Sequence, residues 1–349
     1  MKKVGIITIY GDYENYGNRL QNYAVQEVLK KMNLEPETII YLHKGAEEEV
    51  IDYNLDRLEA FREFNNNIKF YKDKLYMEKE TPENYGHDLD YIAIGSDQIW
   101  NFTFRRIFSS KVFADFAPKN KRIAFSASIG VSYVPEKDSE AYKIFEENLG
   151  DLEHITVRED AAKDVIKEIS GRDDVKVVLD PTMMLEREDW EKVVKKPKQL
   201  KTDNFIVKCF LGQLDPKKEE AINKFAEENN CQIIDIINED SEFFGIGPAE
   251  FLYLEKNAKM VVTDSFHSCV FSIMFSTPFV VFKRDDKKLK SMHSRIETLL
   301  NTFGIQDRIF EDEITEKMAK IDDYENVHKI LKEKRKECLE HFENVFHKN

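Results

Sequence analysis

One histidine in this sequence stands in surroundings that suit proton transfer. In TDSFHSCVFSIMF, residues 263–275, a β-branched run ends at Thr263 and an apolar helical pattern starts near Ser265. His267 therefore belongs to a helix's first turn at the carboxyl end of a strand. Free N–H groups and the positive end of the helix dipole gather at such a place, so it suits an anion. The same field favours a neutral imidazole, able to pass protons near pH 7. Asp264 is the candidate catalytic partner, and Ser265 a candidate donor ligand. On spacing alone the segment better fits a histidine hydrogen-bonded into the fold, with Asp264 and Ser265 as ordinary caps.

Other chemistry-bearing residues also follow predicted strands. Arg158 in ITVREDAAKDV ends one strand and precedes a helix. Its planar fork suits a carboxylate or phosphate, or a surface pair with Glu159 or Asp160. In YENYGNRLQNYA, Asn15, Asn18 and Arg19 cluster at the start of the first helix, beside Gly17, which permits close backbone approach. In GSDQIWN, Asp97 and Gln98 suit sugar hydroxyls and Trp100 suits stacking on a sugar face; Trp100 equally fits a core anchor. SASIG, Ser126 to Gly130, sets small hydroxyl residues at another strand end. KRDDKKLKSMHSRI gathers Lys283, Arg284, Lys287, Lys288, Lys290, His293 and Arg295. From it Lys283 and Arg295 are candidate donor ligands, and most of the lysines read as a solvated loop.

The elements that must position these residues alternate between strand and helix. Val4–Tyr10 reads as a buried strand, Leu20 to Met32 as a helix, and Thr38–Leu42 as a second strand, a parallel-sheet opening. Tyr91–Gly95, Arg122–Ile129, Ile155–Arg158 and Val175–Asp180 continue the series. The stretch Glu47 to Lys79 is charged, with aromatics at helical spacing. Lys195–Asn204, basic and polar around Pro197, is the predicted linker. A second series follows, with strands at Phe205–Leu211, Gln232–Ile237, Met260–Thr263 and Phe279–Phe282. The tail, Asp322 to Phe346, carries one helical stripe: Tyr324, Val327, Ile330, Leu331, Cys338, Phe342 and Val345. Two Rossmann-like domains are the simplest account, and ligands of such sheets sit at the carboxyl ends of strands.

Composition narrows the function. A length of 349 residues suggests two domains at roughly 150 residues each. A formal net charge of −14 argues against nucleic acid as a partner. It also demands a local basic pocket if an anion is bound. Cys209, Cys231, Cys269 and Cys338 are scattered and fit reduced thiols in a cytoplasmic protein. The apolar stretch Cys269–Phe282 is broken by Ser272, Ser276, Thr277 and Pro278, so it is no membrane span. The first residues read as a buried strand and not as a signal peptide. No metal-ligand spacing appears.

Taken in order, NYGNRLQNYA, GSDQIWN, SASIG, VRED with VLDPTMML, and DSFHSCVFSIMFSTPFVV resemble the polysaccharide pyruvyl transferase family. The resemblance implies an α/β fold of two Rossmann-like domains in a GT-B-like arrangement, with the active site between them and a long C-terminal helix. Residues 1–190 would form the acceptor-side domain, 200–321 the second domain, and 322–349 a helix packing back on the first. The implied reaction moves a pyruvyl group from phosphoenolpyruvate to a sugar of a surface-polysaccharide precursor, with no further cofactor and no metal. His267 corresponds to the family's general acid and Arg158 to an arginine that holds the donor's anionic groups. Asn15, Asn18, Arg19, Asp97, Gln98 and Trp100 are the acceptor candidates. The acceptor is a sugar or a lipid-linked oligosaccharide; the latter implies transient contact at the inner membrane face. Two departures stand out: Ser265 replaces an arginine of many members, and Ser268 a frequent glycine. A glycosyltransferase using a nucleotide-sugar, and a non-enzymatic carbohydrate-binding relative, are the competing readings.

Overall fold

A computed structural model describes residues 1–10, 15–43, 54–284, 293–320 and 324–347. The chain divides into two compact units. The first comprises Met1–Asp52, Asn65–Leu185 and Lys334–Asn349, and the second Tyr53–Phe64 and Glu186–Glu333.

The strands of the first unit are β1 (Lys3–Ile7), β2 (Glu35–Ile39), β3 (Tyr41–Leu42), β4 (Leu75–Tyr76), β5 (Tyr91–Ile94), β6 (Arg122–Ala127), β7 (His154–Val157) and β8 (Lys176–Val177). One sheet runs β2-β1-β5-β6-β7-β8, every neighbouring pair parallel. Its inner strands are short continuous apolar runs buried on both faces, as parallel sheets require; YIAI in β5 is buried throughout. β2 reads EPETI, and its Pro36 is tolerable because β2 lies at the sheet edge. The predicted strand Val175–Asp180 shrinks to β8, an opposite edge with both side chains exposed. β3 and β4 pair separately. β3 lies within the predicted strand Thr38–Leu42, whereas β4 falls in the stretch Glu47 to Lys79, whose aromatics recur at helical spacing.

The α-helices among the described residues are α1 (Tyr16–Lys31), α2 (Leu55–Phe64), α3 (Glu140–Leu149), α4 (Asp160–Ser170), α5 (Pro181–Met184), α6 (Arg187–Glu191), α7 (Pro216–Glu228), α8 (Pro248–Asn257), α9 (Phe266–Phe275), α10 (Ser294–Phe303) and α11 (Tyr324–His347). α1 starts where the Asn15 side chain accepts the Asn18 N–H at 3.2 Å. Two of its buried amides bond across the sheet edge: Gln26 donates to Thr38 Oγ1 at 2.8 Å, and Thr38 donates to Asn22 Oδ1 at 2.6 Å. The C-terminal part of α11 packs within the first unit. Phe342 stacks on Phe125 with ring centroids 4.0 Å apart, and Arg335 Nε donates to Met183 O at 2.9 Å.

The second unit holds β9 (Phe205–Cys209), β10 (Gln232–Asp235), β11 (Met260–Thr263) and β12 (Phe279–Val281), parallel in the order β10-β9-β11-β12. α9 is mostly apolar and wholly buried, its His267, Ser268 and Ser272 included, the pattern of a core helix. α2 belongs here because Arg57 donates to Phe244 O at 2.6 Å and lies 4.6 Å from the Phe244 ring centroid. The predicted linker, 195–204, is part of this unit: Lys195 N donates to Ala249 O at 3.1 Å, and Leu200 is buried. The boundary falls earlier, after Leu185. Among the described residues no helix is long and apolar enough to cross a membrane.

Candidate active site

The carboxyl edge of the first sheet is a closed polar network. Arg158, just after β7, has a side chain with no exposed surface. Its Nη1 donates to Asp180 Oδ2 at 2.5 Å and its Nη2 to Asp97 Oδ1 at 2.8 Å. Burial works against its charge, but Asp180, Asp97 and Glu159 outweigh that and raise its pKa. Asp97 is also bound by the Asn18 amide. Asp180 Oδ1 accepts the Thr182 N–H and hydroxyl at 3.0 and 2.6 Å, starting α5. Glu159 Oε1 accepts from Ser128 Oγ, Ile129 N and Gly130 N at 2.8, 3.0 and 3.1 Å. SASIG and VRED, at the ends of neighbouring strands, are thus braced against each other. Gly95 completes the packing: at φ +118°, a Cβ there would lie 2.5 Å from Phe125 O.

This arrangement corrects several expectations. Arg158 is no open fork for a donor, because two carboxylates already occupy it. Trp100 is no stacking platform: it is fully buried, donates to Val112 O at 3.1 Å and stacks on Phe113 at 5.0 Å. Asp97 and Asn18 are buried and committed to each other. Arg19 is buried too, its guanidinium 4.1 Å from the Tyr10 ring centroid. Asn15 and Gln98 stay half-buried.

The second sheet presents a more open edge. His267 lies in the first turn of α9 directly beyond β11, 7% exposed. Ser265 is the N-cap, yet its hydroxyl accepts no bond from the helix. Asp264 is the hub. Its Oδ1 accepts the Leu211 N–H at 2.8 Å, and its Oδ2 accepts Gly212 N–H at 2.9 Å and Arg284 Nε at 2.7 Å. Those bonds tie the loops after β9 and β12 to the start of α9, so Asp264 positions its neighbours. Arg284 N donates to His293 Nε2 at 2.6 Å, which puts that ring's proton on Nδ1. Burial, then the charge of Arg284, pushes the His293 pKa down.

The remaining donor candidates differ. Arg295 is buried, 5.8 Å from the Phe266 ring centroid. Lys283 is exposed, and its carbonyl accepts from Lys218 Nζ at 2.9 Å. Lys287, Lys288 and Lys290 lie outside the described residues. Sequence reasoning left out Asp180, whose signal was an acid before Pro181 at a strand end. It also left out Glu255, a fully buried carboxyl on α8 that accepts from Ser268 and Ser272 at 2.5 and 3.2 Å. Burial raises the Glu255 pKa to about 8. Elsewhere in this unit a cavity of about 550 Å³ is lined by Asp56, Glu59, Glu63, Glu242 and Glu250 together with Lys195 and Lys198; carboxylates outnumber the lysines, and Lys195 is already paired with Glu63 and Glu250, which is wrong for an anionic donor.

The family model of the polysaccharide pyruvyl transferases matches residues 15–286, most of the chain. No curated protein sequence matches it. Among solved structures it is similar to the UDP-GlcNAc 2-epimerase from Neisseria meningitidis bound to UDP-GlcNAc: TM-score 0.54, 10% identity, all of both chains covered. The UDP-N-acetylglucosamine 2-epimerase from Rickettsia bellii aligns with TM-score 0.49 and 11% identity over 99% of this chain and 97% of that one. At such identities the likeness concerns the fold alone. The fold is α/β and GT-B-like, with parallel sheets and a C-terminal helix.

Proposed function

The chain belongs to the polysaccharide pyruvyl transferase family, and on that premise we propose that it transfers a pyruvyl group from phosphoenolpyruvate to a sugar of a surface-polysaccharide precursor. His267 is the general acid. It delivers a proton to the donor's methylene carbon, and a sugar hydroxyl bonds to the neighbouring carbon, losing its own proton. The bond from that carbon to the phosphate oxygen then breaks, and phosphate leaves. A second hydroxyl closes the cyclic ketal.

The observation that carries this reading is the position of His267. The family match spans it, and it stands in the first turn of α9 beyond β11, three residues after the Asp264 that braces Arg284. General acid catalysis contributes roughly 10²–10⁴-fold. His267→Gln fills the space without moving a proton. It should cut single-turnover phosphate release by about that factor and leave the melting temperature nearly unchanged. Near wild-type release by the folded variant would remove His267 as the acid. Nucleotide release from a sugar nucleotide, with none of phosphate from phosphoenolpyruvate, would favour a glycosyltransferase instead.

A further inference from the structure

We infer that Arg284 grips the donor's oxyanion and that Asp264 aims it; this rests on the donor reading above and deepens it. An anionic donor in a chain of formal net charge −14 needs a local cation. Arg158 is enclosed by carboxylates, Lys283 is exposed, and Arg295 lies against Phe266. Arg284 differs from all three. Its Nε donates to Asp264 Oδ2 at 2.7 Å and its Nη2 to the Asp264 carbonyl at 3.1 Å. Among the described residues nothing engages Nη1. The side chain is 11% exposed, so its charge is largely withdrawn from water while one edge stays open. An oxyanion reaching that edge gains more than it would from an arginine in bulk water.

The surroundings hold this geometry in advance. β11 and β12 are parallel neighbours with Thr263 opposite Val281, so Asp264 and Arg284 leave the sheet side by side at the turn that carries His267. Asp264 shares its charge with the Leu211 and Gly212 amides as well, which leaves the guanidinium under-neutralised. Glycine at 212 permits the approach, since a Cβ there would lie 3.1 Å from Asp264 Oδ2 and 3.5 Å from Arg284 Cδ. The backbone of Arg284 is fixed by His293. A side chain held at both ends loses little freedom when a ligand arrives.

The test compares wild type, Arg284→Gln and Arg284→Lys. Steady-state phosphate release from phosphoenolpyruvate is measured alongside calorimetric titration with inorganic phosphate and with pyruvate. In Arg284→Gln the KM for phosphoenolpyruvate should rise about 10- to 100-fold, with a smaller change in kcat. Arg284→Lys should recover only part, because an ammonium cannot serve Asp264 and an anion along two edges. The probe whose affinity falls in Arg284→Gln tells whether phosphate or carboxylate is held. A merely structural arginine would lower the ligand-free melting temperature but leave KM and probe affinities at wild-type values, and that result overturns the inference. If Arg284→Gln loses its cooperative melt, Arg284→Lys carries the same comparison. A wild type that releases no phosphate sinks the donor reading alone, since loss of phosphate affinity in Arg284→Gln would still uphold the grip. A wild type that binds neither probe overturns the grip.

Discussion

Arg158 and Arg284 each follow a strand of a parallel sheet, yet they are built for different ends. Arg158 has no exposed side-chain surface and bonds two carboxylates. Arg284 is held along one edge by a single carboxylate that is itself shared with two amides. Guanidinium chemistry is identical in both, so the number of carboxylates and the open edge decide the role. A saturated arginine fixes the loops around it, and a half-saturated one is left with affinity for a further anion.

The largest expected effect tests the saturated half. Removing one partner of a buried ion pair typically costs about 3–5 kcal/mol, because the other charges remain buried and uncompensated. Arg158→Ala strands Asp97 and Asp180, so denaturant unfolding should show a loss of that size. Arg158→Lys cannot reach both carboxylates and should recover little. A stable Arg158→Ala protein whose defect lies only in donor KM would reverse the contrast and return Arg158 to the donor.

Much of the scaffold was legible because its signals are local. The β-branched run Met260–Thr263 and the apolar pattern Phe266–Phe275 place His267 without any tertiary knowledge. The network around Arg158 was not legible, because its partners are 61 and 22 residues away in sequence. Local reading offered Glu159 and Asp160 instead, and Glu159 stands 3.8 Å away, behind the other two. Trp100 sits in a polar stretch, and only its packing on Phe113 shows that it faces inward. Arg284 lay within a run of basic residues, and nothing in that run marks the one that Asp264 selects. α2 joins the second unit through the Phe244 carbonyl, a contact that periodicity does not encode.

A second, smaller effect concerns the floor beneath the open half. Glu255 lies under α9, where Ser268 and Ser272 donate to it, and burial raises its pKa to about 8. Unfolded, the carboxyl titrates near 4.5. Between those values the unfolded chain binds fewer protons than the folded one, so this group's stabilisation is complete below pH 4.5 and is lost as pH rises through about 8. Glu255→Gln keeps an acceptor for Ser268 and cannot ionise. It should flatten that decline and gain on the order of 2–4 kcal/mol relative to wild type at pH 9. Parallel pH–stability curves for the two proteins would show that the carboxyl is already ionised in the folded state.

The smallest effect reaches the open arginine through its backbone. His293 accepts the Arg284 N–H only while neutral. Asp264, Glu297, Arg284 and Lys283 act on its charge, and burial with the two cations prevails, lowering its pKa. For a depressed histidine pKa, the contribution is whole above 6.5 and is lost as pH falls through the lower folded value. Protonation removes an acceptor worth about 1 kcal/mol and sets a cation beside Arg284. The KM for phosphoenolpyruvate should therefore rise by roughly 5-fold on the acid side, with stability following the same limb. His293→Gln offers an amide oxygen that does not titrate, so its KM should stay level over that range. An acid limb that survives in His293→Gln would trace to another group and detach His293 from the hold on Arg284.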